Sequence, residues 1–206
     1  MIKDLSPVRI AIFASGKGSN AREIIHFFQN GRHRVDGRKI EIALIVCNKA
    51  GAGVLNVAEE SGIPWMLLEK EKFYNGTQYL EELSKRDISF IVLAGFLWKI
   101  PPGLIAAFPD RILNIHPALL PAFGGKGMYG NAVHEAVIAS GAKQSGITIH
   151  YVDEQYDHGR IFFQASVHLS PEETPESLAE KIHTLEHQHF PAQIFRWVEC
   201  KLSLNP

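Results

Sequence analysis

The 206-residue sequence predicts a single α/β domain with a mostly parallel sheet, helices on both faces and an antiparallel C-terminal strand. Three observations carry this expectation. Apolar runs of strand length alternate with segments of helical period, and a glycine-rich turn joins the first run to the first helix. The last two runs, Ile147 to Val152 and Ile161 to Val167, are separated by a break too short to hold a helix.

In order, Val8 to Ala14 is a short apolar run interrupted only by Arg9, and it leads into Ser15-Gly16-Lys17-Gly18-Ser19-Asn20. Ala21, Ile24, Ile25 and Phe28 follow at i, i+3, i+4 and i+7, the stripe of an amphipathic helix. Ile40 to Val46 reads as a strand, Val54 to Ser61 as a helix, Ile63 to Leu68 as a strand, Phe73 to Lys85 as a helix and Ile88 to Ala94 as a strand. Strands that are apolar throughout belong to a parallel sheet covered on both sides. Beyond Gly95 come a strand at Arg111 to His116, a helix at Val133 to Ala139, and a strand from Ile147 whose alternation is clean. The break at Tyr156-Asp157-His158-Gly159 implies an antiparallel return. A final helix from Pro175 turns Leu178, Ile182, Leu185 and Ile194 inward and is expected to bend at Pro191. The stretch Gly124 to Gly130 reads as a mobile loop beside a site.

Composition narrows the function. A net charge of −1 offers no field for nucleic acid or anionic lipid, so the partners are small molecules. No apolar stretch reaches the ~20 residues of a membrane span, and Lys3 and Asp4 precede the first apolar run, so neither membrane nor targeting is expected. Cys47 and Cys200 form no metal-type pair and are expected as free thiols in a reducing cytoplasm.

Three motifs bear chemistry. Gly16, Gly18 and Ala21 fit the dinucleotide fingerprint G-x-G-x-x-G/A, but the next strand ends at Cys47 and Asn48 without the acid that would bind a ribose. Glycines at a helix N-terminus with Ser19 and Asn20 more simply offer free N–H groups to a phosphate, unless the turn is purely structural. His183, Glu186 and His187 spell H-x-x-E-H, with the two histidines one helical turn apart, as in a zinc hydrolase. The third is Asn114-Ile115-His116-Pro117. A strand alternates its side chains and a proline ends it, so Asn114 and His116 share one face at a strand's end. An amide donor beside an imidazole suits acyl transfer. Asp157, in a tight break, either serves the turn or reaches His116, where it would raise the imidazole's pKa toward working pH.

Together with Ala94-Gly95-Phe96, Leu119-Leu120-Pro121, Asp157-x-Gly159 and Glu186-His187, these motifs resemble the phosphoribosylglycinamide formyltransferases of purine synthesis, in order from about Arg9 to Trp197. Asn-x-His-Pro alone would indicate the wider formyltransferase group. The resemblance implies one Rossmann-like formyltransferase domain over 1–206, binding the ribonucleotide phosphate in its N-terminal half and folate in its catalytic C-terminal half. It implies 10-formyltetrahydrofolate as cosubstrate, no metal, and a monomer or weak homodimer. By the same resemblance Gly18, Ser19 and Asn20 hold the phosphate, Glu186 bonds the ribose, and Asn114, His116 and Asp157 are catalytic. Folate would meet Leu97, Trp98, Lys99, Ile100, Lys72 and Asn114. Where the family has Phe-Met-Arg this chain has Phe96-Leu97-Trp98-Lys99, so Lys99 would substitute for the arginine or Trp98 would stack on the pterin. His158 and Arg160 replace smaller residues of the family. The rivals are a formyltransferase acting on a sugar-nucleotide amine, a dinucleotide oxidoreductase, a zinc hydrolase and a non-catalytic binding module.

Overall fold

The computed structural model describes residues 6–29 and 31–203; Lys3 and Asp4 lie outside them. The elements follow the expected alternation. β1 (Val8–Ala14), α1 (Ser19–Gln29), β2 (Arg34–Val35), β3 (Arg38–Cys47), α2 (Gly53–Glu60) and β4 (Trp65–Leu67) make the first part. Then come α3 (Lys70–Asn75), α4 (Gln78–Lys85), β5 (Ile88–Leu93), α5 (Pro102–Ala107) and β6 (Ile112–His116). α6 (Asn131–Ala139), β7 (Gln144–Tyr151), β8 (Ile161–His168) and α7 (Pro175–Ser203) complete the chain.

One eight-stranded sheet runs β2-β3-β1-β5-β6-β7-β8, with β4 also on β3. β1 pairs in parallel with β3 and β5, and β5 with β6. β6–β7 and β7–β8 are antiparallel, so the C-terminal antiparallel part is a pair of strands rather than one, and the short β2 is also antiparallel to β3. Alternate residues of β1 feed two cores: Ile10 and Ile12 pack with α1, α2 and α7, whereas Ala11 and Phe13 pack with Phe73, Leu83 and Leu104 from α3, α4 and α5. This two-sided burial is why the parallel strands are apolar throughout.

Two local expectations are corrected, and one helix is added. The helix expected over Phe73 to Lys85 is two short helices, α3 and α4, because Gly76 turns extended and its N–H ties back to the Lys72 carbonyl at 3.0 Å. A Cβ at Gly76 would stand 2.8 Å from that carbonyl oxygen. The run Ile63 to Leu68 keeps only three strand residues, with Trp65 and Leu67 exposed at the edge. α5 carries no long apolar stripe; its start is set by Pro101-Pro102 and it buries Leu104. α7 is the expected final helix from Pro175, and it continues past Pro191, which is buried within it.

The β7–β8 turn depends on Gly159. An added Cβ would lie 1.8 Å from the Tyr151 carbonyl oxygen, backbone that cannot move aside without opening the ladder. Gly159→Ala is expected to cost ~2 kcal/mol or more, a fall in Tm of about 4–8 °C for a domain of this size, measured by calorimetry.

Candidate active site

The chain lays strands to one side of β1 and then, from β5 onward, to the other. That reversal opens a crevice at the carboxyl ends of the central strands, where α/β sheets bind ligands. Two loops are stitched across it: Ser15 N–H donates to Gly95 O (3.1 Å), and Leu97 N–H donates to Ser15 Oγ (2.9 Å).

On one side of the crevice stands the start of α1. Gly18 has φ +85, and a Cβ there would meet Val54 Cα at 2.8 Å, so the turn is glycine both for its dihedral and for its approach to α2. The turn is further fixed by Val54 N–H donating to Gly16 O at 3.1 Å. Asn20 Nδ2 donates to Glu186 Oε2 (2.9 Å), and His183 Nδ1 reaches the same oxygen at 3.1 Å. Gly18, Ser19, Asn20 and Glu186, separated by 166 positions at their widest hydrogen bond, are thus one cluster. Glu186 is 5% exposed, and both bonds end on Oε2, leaving Oε1 for a ligand. Asn20 Oδ1 and His187 Nε2 are enclosed without partners. The hydrogen bond to Glu186 raises the His183 pKa above its usual value. Among the described residues no three His, Cys, Asp or Glu side chains gather as metal ligands, and Glu186 is already engaged by Asn20 and His183.

Deeper in the crevice Asn114 and His116 share the face that strand alternation and Pro117 require. His116 is 3% exposed. Its Nε2 donates to the Phe123 carbonyl (2.8 Å), and its Nδ1 looks at Asp157 Oδ2 across 3.6 Å. Asp157 sits at φ +54, a left-handed conformation that aspartate tolerates, and Oδ2 accepts the Gly125 N–H at 2.9 Å. Asn114 Nδ2 reaches Asp157 Oδ1 at 3.5 Å and His150 Nε2 at 3.0 Å. The sequence reading missed His150. Its signal is one buried imidazole on β7, but only the pairing of Asn114 with His150 across β6 and β7 shows that it joins the cluster. His150 Nδ1 donates to the Tyr151 carbonyl at 2.8 Å, which leaves Nε2 to accept from the Asn114 amide.

Two expectations about this cluster change. Burial outweighs the attraction of Asp157 and pulls the His116 pKa below its usual value. The free protein therefore holds His116 neutral near pH 7 rather than charged, with Nε2 protonated on Phe123 O and a bare lone pair on Nδ1. Asp157 behaves oppositely: burial would raise its pKa, but His150, His116 and the Gly125 N–H outweigh it and keep the carboxyl below its usual range. The second change concerns the glycine-rich loop. Its start, Phe123 to Gly125, is held by the His116 and Asp157 contacts and is part of the site rather than free of it. Phe123 adopts φ +57, a strained value for an aromatic residue, at the carbonyl that receives His116.

The expected folate residues differ in burial and pairing. Leu97 is 48% exposed, Ile100 is buried, and Trp98 lies among Phe73, Tyr74 and Phe96 at ring separations of 5.8, 6.2 and 6.4 Å. Tyr74 is partly exposed, and burial beside Tyr156 raises its pKa. Phe73 and Phe96 are buried core residues, and Trp98 packs half-buried against them with Tyr74 exposed beside it. Lys99 is exposed, Lys72 is paired with Glu69 at 2.6 Å, and His158 is held by Asp153 at 2.9 Å, away from Asp157.

Comparison with known proteins agrees with this geometry. The model of the formyl transferase family matches residues 8–194. The chain is 45% identical over 185 residues to the chloroplastic phosphoribosylglycinamide formyltransferase of Arabidopsis thaliana, covering 87% of this chain and 62% of that protein. It spans 57% of the corresponding protein of Vigna unguiculata, so it accounts for about 60% of the length of these plant relatives. Identity to the phosphoribosylglycinamide formyltransferase of Bacillus subtilis is 36% over 190 residues, covering 90% of this chain and 92% of that one. The crystal structure of the phosphoribosylglycinamide formyltransferase from Bacillus halodurans superposes with a TM-score of 0.80 at 38% identity, covering 91% and 94% of the two chains.

Proposed function

The chain belongs to the formyl transferase family, and from that premise we propose that it moves the formyl group of 10-formyltetrahydrofolate to the amine of 5-phosphoribosylglycinamide in purine synthesis. One observation carries the acceptor: β1, β5 and β6 run parallel, so the α1 N-terminus that follows β1 and the Asn114-His116 end of β6 stand at the same edge of the sheet. A ribonucleotide phosphate rests on the N–H groups of Gly18, Ser19 and Asn20, assisted by the helix dipole, and Glu186 Oε1 takes a ribose hydroxyl. The folate ring enters along Leu97, Trp98 and Ile100, which brings its formyl group toward Asn114.

In this reading His116 Nδ1, unprotonated, takes the proton that the amine gives up as its nitrogen bonds the formyl carbon. The imidazolium then faces Asp157, which stabilises the charge, and Asn114 can release its long 3.5 Å contact to donate to the developing oxyanion. As the bond from the formyl carbon to the folate nitrogen breaks, His116 returns the proton to that nitrogen. Nothing is oxidised or reduced.

The test is to supply the protein with glycinamide ribonucleotide and 10-formyltetrahydrofolate and follow folate absorbance. Turnover is expected; its absence, with turnover on a sugar-nucleotide amine, overturns the choice of acceptor.

A further inference from the structure

We propose that His134 is a substrate-binding residue of this site, its Nε2–H donating to a carbonyl oxygen on the glycinamide arm of the ribonucleotide. This rests on the functional reading above and adds to it a determinant of acceptor choice.

His134 lies on the buried face of α6 with Val133 and Val137, and only 5% of it is exposed. A buried histidine normally satisfies its ring nitrogens, because enclosing an unbonded polar atom costs about 1–3 kcal/mol. Here neither nitrogen has a hydrogen-bond partner: Nδ1 is sealed off, whereas Nε2 is not. With nothing to receive a proton at Nδ1, the neutral ring places it on Nε2, the atom left accessible. Burial lowers the pKa of this imidazole, consistent with a neutral ring.

Its surroundings identify the occupant. α6 packs on α7, and the His134 ring interacts electrostatically with His183 and Glu186 on that helix and with His116 on β6. Glu186 marks the ribose end of the proposed acceptor and His116 marks its amine end. The part of glycinamide ribonucleotide between those ends is an amide, and a carbonyl oxygen is the acceptor that a neutral N–H can serve. Asn20, which bonds Glu186, and His187, whose ring lies 6.3 Å from His183, likewise carry enclosed and unpartnered atoms, Oδ1 and Nε2.

A structural role and a substrate role separate cleanly. Removing an orphaned polar atom should not harm the free fold, so His134→Leu is expected to unfold within about 2 °C of the parent or above it. The same change should raise the ribonucleotide KM about tenfold, the loss of one hydrogen bond, with kcat and the folate KM within about threefold. His134→Gln, whose amide nitrogen reaches about where Nε2 stands, should restore the ribonucleotide KM to within about threefold. If the leucine variant does not fold, His134→Met supplies the same length as glutamine without its amide. A ribonucleotide KM unchanged in the apolar variants overturns the proposal, as does a KM that rises equally in the glutamine variant. A parent protein with neither turnover nor a thermal shift on glycinamide ribonucleotide overturns the functional reading and this inference together, whereas a responsive parent with insensitive variants overturns this inference alone.

Discussion

His116→Ala is expected to lower kcat by ~10²–10³ while leaving ribonucleotide affinity within a few fold. The separation of effects follows from geometry. His116 hangs from the end of β6 with Nε2 fixed on the Phe123 carbonyl, and the phosphate and ribose contacts come from α1 and α7. Alanine removes the proton acceptor without touching those contacts. Because burial holds the His116 pKa below its ordinary value, the parent protein should keep its full rate at neutral pH. The rate should then fall as acid protonates Nδ1, and the alanine variant should lack that limb. Steady-state kinetics with both substrates from about pH 5 to 8 reads both effects. Near-normal turnover in the variant, or a parent rate that climbs as His116 is protonated, would refute the assignment.

The reach of sequence reasoning here follows the range of the physics involved. β1, β3 and β5 were readable because burial on both faces demands continuous apolar runs. The shared face of Asn114 and His116 was readable because strand alternation and Pro117 are local facts. His150 was not, since its meeting with Asn114 depends on the register of β7 against β6. The charge state of His116 was misjudged for a similar reason: Asp157 was visible as a neighbour, but the burial that outweighs it is a property of the assembled core. Glu186 illustrates the converse. It stands in H-x-x-E-H, whose two histidines suggest a grip on a metal, and only the packing of α7 beside α1 shows that Glu186 is bonded by Asn20.

Asp157→Asn is expected to cost a similar ~10²–10³ in kcat for a different reason. Asparagine tolerates φ +54 as aspartate does, so the turn can persist. What disappears is the charge 3.6 Å from His116 Nδ1, so the imidazolium formed during transfer has no counter-charge. One new contact is also mismatched: if the asparagine oxygen keeps the Gly125 N–H, its NH₂ faces the Asn114 amide donor. That should lower stability by ~1–2 kcal/mol at neutral pH. The pH dependence supplies a second, independent reading. The folded Asp157 carboxyl titrates below its unfolded value of about 3.9, so it stabilises the fold fully above that value and loses this contribution as pH falls through its lower folded pKa. The parent protein should accordingly lose stability steeply below about pH 4, and the asparagine variant should lose less over the same interval. A variant with an unchanged acid limb and near-normal kcat would show that Asp157 only completes the turn.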